Sequence, residues 1–261
     1  MGCEYTIPEA YDIAFDFRDV PAEVDFFQKV SQQYRSCAIG SALELACGPA
    51  YHVREFAKRG IVSHGLDLEP AMVAYTNGLI AREKLNGTVY QGDMRSYKSK
   101  QKYDFVYMLM ASFAHLLTNQ DILDNFDCVA DMLNEGGLYL IQAAHPRDFW
   151  GEEEQTMKQS WSATRGDVTV ETDWGGDNQQ FDSLTEIDSI VVSYTITAHG
   201  ETKRHEFPNC LRRCSMGTFL ALLRLSGRFE IVDMLGDFDL HEKFTTAQSS
   251  VRFVPILKKT G

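Results

Sequence analysis

The sequence has no basic excess: 25 Lys and Arg stand against 37 Asp and Glu, for a net charge of −12. A balance of this sign repels phosphate backbones and anionic headgroups, so neither nucleic acid nor a membrane surface is expected as a partner. Paired cysteines are missing too. Cys3, Cys37, Cys47, Cys128, Cys210 and Cys214 form no CxxC pair, and Cys210-Leu-Arg-Arg-Cys214 has no second pair to complete a ligand set. That spacing reads as packing, and no metal is expected. There is no run of about 18 apolar residues to span a bilayer. The N-terminus lacks a charged-then-apolar leader, so the expectation is a reduced, cytoplasmic protein. Internal repeats and low-complexity tracts are also absent.

What is present is an ordinary globular composition, 44 % hydrophobic and 24 % charged over 261 residues, enough for one substantial core and a small appended lobe. The stretch Ala42-Leu43-Glu44-Leu45-Ala46-Cys47-Gly48-Pro49-Ala50 is an apolar run that breaks into small residues and then into a helical pattern from His52 to Arg59. A buried strand turning tightly into a helix leaves unpaired N–H groups and the positive end of the helix dipole facing a ligand. A second run, Ile61 to Leu66, ends in Asp67, an acid placed to accept both hydroxyls of a ribose, and Pro70 opens the next helix.

This order belongs to nucleoside-binding doubly wound sheets in general. The nicotinamide fingerprint Gly-x-Gly-x-x-Gly is not met, since the matching positions read Ala46-Cys47-Gly48-Pro49-Ala50-Tyr51. A third short strand ends in Gly92-Asp93-Met94, where a carboxylate can accept from an adenine amine while a flexible thioether packs on the ring.

On these residues the chain resembles the class I S-adenosylmethionine-dependent methyltransferases, of the small-molecule type. The matching segments are Leu43-Glu44-Leu45-Ala46-Cys47-Gly48, Gly65 to Met72, Gly92-Asp93-Met94, Tyr103-Asp104-Phe105-Val106 and Leu133-Asn134-Glu135-Gly136-Gly137. They occur in the family's order over about residues 40 to 145. The family's pattern has glycine where this chain has Ala46 and Ala50. The resemblance implies S-adenosylmethionine as cofactor, with Glu44 orienting the methionine amino end and Ala46 and Gly48 giving backbone contacts. Asp67 would take the ribose and Asp93 with Met94 the adenine, with Leu68, Met72, Gly92 and Met110 as further cofactor contacts. Tyr11, and with it Arg18, would reach over from an N-terminal helix.

Phe105 to Met110 reads as a fourth parallel strand, delivering Met110, Ser112 and His115 to the edge where such sheets bind ligands. His115 is the candidate to deprotonate or orient an amine or hydroxyl acceptor, and Ser112, His145 and Arg212 are candidate substrate contacts, with Arg213 beside them. The Asn-Pro-Pro-Tyr signature of nucleic-acid amino-methylating enzymes is absent, as is a Pro-Cys nucleophile, which points to a small-molecule acceptor. Thr118 to Asp121 reads as a capping box for a helix from Ile122 to Leu133, closed by Asn134 to Gly137 ahead of a strand from Leu138 to Ala143.

The expected architecture is α/β: a doubly wound, Rossmann-like seven-stranded sheet with an antiparallel β insertion after strand five and N-terminal capping helices. Residues 1–37 would form the helical cap, broken at Val20-Pro21 and set over the sheet's ligand edge by Tyr11, Phe15, Phe26, Phe27 and Val30. Residues 38–145 and 211–261 would form the cofactor domain, and residues 146–210 a β lobe serving the substrate or a subunit contact. In that lobe, strands at Val168, Ser189 and Thr202 are separated by Gly175-Gly176 and His199-Gly200. A homodimer through the lobe's edge is one expectation. The alternative to an enzyme is an inactive nucleoside-binding regulatory or scaffold protein, motivated by Ala46 and Ala50.

Overall fold

A computed structural model describes residues 4–150, 159–175 and 179–260. The first helix, α1 (Pro8–Ala14), carries a proline in its opening turn and buries Ala10, Asp12, Ile13 and Ala14. The second, α2 (Val20–Arg35), is capped by Asp19, whose carboxylate accepts the Ala22 amide. Val20-Pro21 is therefore a helix start where a break was expected, because a first-turn proline gives up an N–H that has no helical partner. Phe26, Phe27 and Val30 do not cover the ligand edge. They pack on the face of the sheet with Phe105, Tyr107, Leu138 and Leu140.

Strands and helices then alternate: β1 (Ser41–Leu45), α3 (Tyr51–Lys58), β2 (Val62–Asp67), α4 (Pro70–Arg82), β3 (Gly87–Gln91), β4 (Tyr103–Met108), α5 (Asn119–Met132) and β5 (Leu133–Ile141). The run of β3, β2, β1, β4 and β5 is parallel throughout. Both halves of the Thr118–Asp121 capping box form, and α5 passes straight into β5 at Leu133, so Asn134 to Gly137 begins that strand. β4 stops at Met108, two residues earlier than expected. Met110 and Ala111 take φ of 53° and 56°, a left-handed conformation outside the extended region a strand requires of non-glycine residues.

After the short β6 (Ala143–Ala144) and α6 (Arg147–Trp150), the chain builds a second, antiparallel sheet from β7 (Gln159–Arg165), β8 (Val168–Trp174), β9 (Gln180–Asp182), β10 (Ile187–Ala198) and β11 (Glu201–Arg212). Its order is β11-β10-β8-β7, with β9 also on β10. β7 and β9 had not been anticipated: in β7 only Trp161 and Ala163 mark a buried face. His199 and Gly200, at φ of 52° and 79°, form the two-residue turn between β10 and β11, and Gly175 ends β8 at φ 72°. Gly176 and Cys3 lie outside the described residues.

The chain returns through α7 (Met216–Ser226), capped by Ser215 and ended by Gly227 at φ 62°. β12 (Phe229–Leu235) follows, and β13 (Arg252–Lys259) runs antiparallel between β12 and β5. The main sheet reads β12-β13-β5-β4-β1-β2-β3, with β6 paired to β13. This is the expected doubly wound α/β architecture with its antiparallel insertion. The first helix joins the two parts: Ala10, Ile13, Ala14 and Phe15 pack with Val170, Ile190, Val192 and Tyr194 of the second sheet. No described helix is long and apolar enough to cross a membrane.

Candidate active site

The turn from β1 to α3 is built from left-handed residues: Ala46, Gly48 and Ala50 have φ of 50°, 50° and 51°. Each alanine there costs roughly 1–2 kcal/mol relative to the right-handed form. The turn is held from both sides. Cys47 N donates to Leu66 O at 3.0 Å, Gly48 N to Asp67 Oδ2 at 2.8 Å, and Thr76 Oγ1 to Gly48 O at 3.0 Å. A methyl on Gly48 would meet the Tyr11 ring at 3.6 Å, so α1 lies directly over the turn.

Tyr11, Glu44, Ala46, Gly48, Met110 and Ser112 come together around one small pocket at this turn. Arg18 lies there too, bonded through Nε to Glu23 Oε1 at 3.0 Å. Glu44 is 5 % exposed, with Tyr107 Oη at 3.5 Å from Oε2 and His52 Nδ1 at 3.4 Å from Oε1. At the end of β2, burial pushes the Asp67 carboxyl up, against the amides of Glu69 and Gly48 that favour its charge. Beside it Leu68 is 65 % exposed, an apolar surface suited to a base or ribose face.

Gly92 is required by packing, since a methyl would meet Tyr97 at 2.7 Å and Leu66 at 2.8 Å. Asp93 is gripped by Arg95, whose Nε donates to Oδ1 at 2.9 Å and Nη2 to Oδ2 at 2.6 Å, and that guanidinium holds the carboxyl below its usual range. The Arg95 amide also donates to Oδ1 at 2.9 Å and Nε lies 3.1 Å from Oδ2, so Arg95 occupies most of the carboxylate's roughly four acceptor sites. Met94 is half-buried against the core of the main sheet. Met72 is fully buried and offers a cofactor no surface, which corrects its assignment: on α4 it faces inward.

Between α1, the end of β4 and the second sheet lies a cleft of about 1050 Å³. Phe15, Phe17, Trp161 and Trp174 line it with aromatic surface, and Trp161 is anchored by its Nε1 donating to Ala14 O at 2.8 Å. His115 also lies here. Its Nε2 is 3.2 Å from Tyr5 Oη, Nδ1 makes no hydrogen bond among the described residues, and burial pushes the imidazole below its usual value. Tyr11, Phe15, Met110 and Ser112 belong to both the turn pocket and the cleft.

Of the substrate candidates, Ser112 and Arg212 line the cleft and His145 does not. His145 Nε2 is 2.9 Å from Thr245 O and its Nδ1 accepts the Arg147 amide at 3.1 Å, so both ring nitrogens are committed within the protein. Arg212 is buried. Its Nη2 donates to Asn119 Oδ1 at 2.7 Å and to Glu186 Oε2 at 3.2 Å, while Nε and Nη1 have no hydrogen-bond partner among the described residues. Arg213 is paired with the fully buried Asp188.

Sequence reasoning missed Tyr5, His52, Trp161 and Gln142. Gln142 holds the left-handed pair, accepting the Met110 amide on Oε1 at 2.9 Å and the Ala111 amide on its carbonyl at 3.2 Å. Strain of this kind, about 1–3 kcal/mol per residue, persists where surrounding contacts over-determine it.

Residues 42–137 match the family model described as methyltransferase domain. Over 109 residues the chain is 28 % identical to the dTDP-3-amino-3,4,6-trideoxy-alpha-D-glucopyranose N,N-dimethyltransferase of Streptomyces venezuelae, covering 41 % of this chain and 44 % of that protein. The chain spans about half the length of the curated relatives it matches, 44 % and 53 %. Among solved structures, an S-adenosylmethionine-dependent methyltransferase from Clostridium acetobutylicum superposes with a TM-score of 0.78 at 16 % identity, over 96 % of each chain. Streptomyces venezuelae DesVI does so at 0.75 and 19 % identity, over 95 % of this chain and 96 % of that one. CalS10, an amino pentose methyltransferase from Micromonospora echinaspora, gives 0.72 and 16 % identity over 96 % of each. At these identities the likeness to the solved structures is one of fold.

Proposed function

We propose that the chain is a class I S-adenosylmethionine-dependent methyltransferase, a reading supported by the methyltransferase-domain match over residues 42–137, and that it methylates an amino group carried by a sugar or sugar-like small molecule. The observation that carries this reading is the set Tyr11, Phe15, Met110 and Ser112, which walls the turn pocket on one side and the aromatic cleft on the other. A donor held at the turn and an acceptor held in the cleft would meet at these four residues. The amino-sugar class is supported by the names of the relatives, an aminohexose N,N-dimethyltransferase and an amino pentose methyltransferase. It is also supported by the indole and phenyl faces of Trp161, Trp174 and Phe15, surfaces suited to the apolar face of a sugar ring.

The residues present fit the cofactor. Asp67 is a buried carboxylate at the β2 end, suited to ribose hydroxyls, with exposed Leu68 beside it; Asp93 and Met94 suit an adenine edge and face, and Glu44 an ammonium. Bound there, S-adenosylmethionine supplies an electrophilic methyl on a sulfonium. The protein's part is mainly to hold the acceptor nitrogen in line with that methyl and to exclude water, a task to which the aromatic walls are suited. A neutral amine that gains a methyl must lose a proton. His115 takes that role with Nε2–H donated to the Tyr5 oxygen and Nδ1 as the accepting atom, its ring kept neutral by burial.

The inactive-scaffold alternative rests on Ala46 and Ala50, and no observation favours it: both alanines adopt the left-handed conformation their turn requires. The test is calorimetric titration with S-adenosylmethionine, S-adenosylhomocysteine and NAD, followed by turnover on free and nucleotide-linked amino sugars. Binding of the sulfur nucleosides alone, with methyl transfer to an amino sugar, is the expected result. Binding without transfer to any amine removes the acceptor class, and failure of both nucleosides to bind removes the methyltransferase reading itself.

A further inference from the structure

We infer that His52 is a positioning residue for Glu44, the inner link of a buried chain Glu44, His52, Glu23, Arg18 that shapes the protein for an ammonium at the amino-acid end of the cofactor. The inference rests on the proposed function and concerns His52, Glu23 and Arg18, to which that reading gives no role.

His52 stands in the first turn of α3, 1 % exposed, its ring between those of Phe27 and Tyr107 with centroids 5.8 and 6.1 Å away. Both of its nitrogens face carboxylates: Nε2 lies 2.6 Å from Glu23 Oε2 and Nδ1 3.4 Å from Glu44 Oε1. Carboxylates accept and do not donate, so the ring satisfies both only as an imidazolium. Burial pushes the ring toward its neutral form, and the two carboxylates reverse that, holding its proton above the usual histidine range. On the far side, Arg18 Nη2 is 2.7 Å from Glu23 Oε2. The signs alternate along the chain.

The distances are uneven, and the unevenness carries the inference. Glu23 takes the short contacts, at 2.6 and 2.7 Å, and is fully matched by two cations. Among the described residues Glu44 receives only long ones, 3.4 Å from His52 and 3.5 Å from Tyr107, while lining the turn pocket. It is therefore oriented without being satisfied, and its free acceptor capacity faces the pocket. Removal of the imidazolium would leave two buried carboxylates on either side of an uncharged gap. Glu44 would then lose the contact that orients it, and its match to an ammonium would be lost.

The experiment compares two ligands on purified protein by calorimetry: S-adenosylmethionine, and 5′-methylthioadenosine, which shares its adenosine and lacks the amino-acid end. For His52→Gln we expect the affinity for S-adenosylmethionine to fall about tenfold, while that for methylthioadenosine stays within about a factor of two. Equal losses for both ligands would mean a merely structural role and would overturn the inference, as would no loss for either. Should His52→Gln fail to fold, Glu23→Gln is read on the same pair of ligands, with the same split expected at smaller size. If the unsubstituted protein binds methylthioadenosine but gains nothing from the amino-acid end, this role falls and the nucleoside site stands. If it binds neither, the methyltransferase reading falls and takes this role with it.

Discussion

The carboxylate of Asp67 accepts the Gly48 amide at 2.8 Å on one oxygen and the Glu69 amide at 3.0 Å on the other. The acid that ends β2 thus also closes the turn that ends β1. Loop geometry and the proposed ribose contact sit in one side chain. Asp67→Asn keeps a single carbonyl oxygen, strands one of the two amides and should cost about 1–3 kcal/mol of stability. Thermal unfolding reads that loss. Calorimetry should show S-adenosylmethionine binding at least tenfold weaker, and unchanged affinity would mean that the ribose lies elsewhere.

The two alanines in the turn give a prediction of opposite sign. Ala46 has φ 50° in a conformation where glycine carries no steric penalty. Ala46→Gly should relieve roughly 1 kcal/mol of strain, partly offset by the greater freedom of glycine in the unfolded chain. The melting temperature should hold or rise, where glycine substitutions in a helix or strand lower it. A clear fall would show that the Ala46 methyl makes packing contacts worth more than the strain.

His115 should matter to rate and not to cofactor affinity. His115→Asn, which keeps a polar group near Tyr5, should lower kcat/KM about a hundredfold on the true acceptor while leaving S-adenosylmethionine binding within about a factor of two. Burial holds the imidazole below its usual 6.5, so it is neutral at and above that pH. The acid limb of the wild-type rate profile should therefore lie below about pH 6.5 and vanish in the variant. Unchanged turnover would remove His115 from the mechanism.

Glu4 couples stability to pH. Burial lifts its carboxyl to about 7 from 4.5, with Tyr5 and Asn209 opposing the shift only in part. A carboxyl raised on folding contributes stability that is complete below the unfolded value and lost as pH rises through the folded one. Between about pH 5 and pH 8 the loss is on the order of 3 kcal/mol. Denaturant titrations across that range should show the decline in the native chain and a much smaller one in Glu4→Gln. A flat native profile would mean that Glu4 stays solvated.

The parts of the site that were legible in the sequence are the local ones. A strand running into Ala46-Cys47-Gly48, an acid closing the next strand, and Gly92-Asp93-Met94 each announce themselves within a few residues, because turn geometry and strand ends are set by neighbours in the chain. His52 was not legible. Its partner Glu23 is 29 positions away on another helix, and a histidine in the first turn of an amphipathic helix looks the same whether or not two acids await it. Met72 and His145 were misread for the complementary reason: proximity to a motif does not say which way a side chain points. β7 escaped because a strand with two apolar residues on its inner face has almost no periodic signal. The left-handed Met110 and Ala111 escaped as well, since their strain is imposed by Gln142 across the sheet.

The placement of Asp12 has a kinetic consequence. Its side chain and carbonyl tie α1 to Tyr75 of α4, to Tyr51 of α3 and to Arg165 of β7, which lie in both halves of the molecule. Tyr11, the next residue back, borders both binding compartments. With α1 fastened at so many points, the proposed function predicts that admission of the nucleoside and admission of the acceptor are coupled. The turnover should be compulsory in sequence, nucleoside first and demethylated nucleoside last. Product-inhibition patterns should then show S-adenosylhomocysteine competing with the nucleoside and not with the amine, and Arg165→Met should relax that order toward a random one.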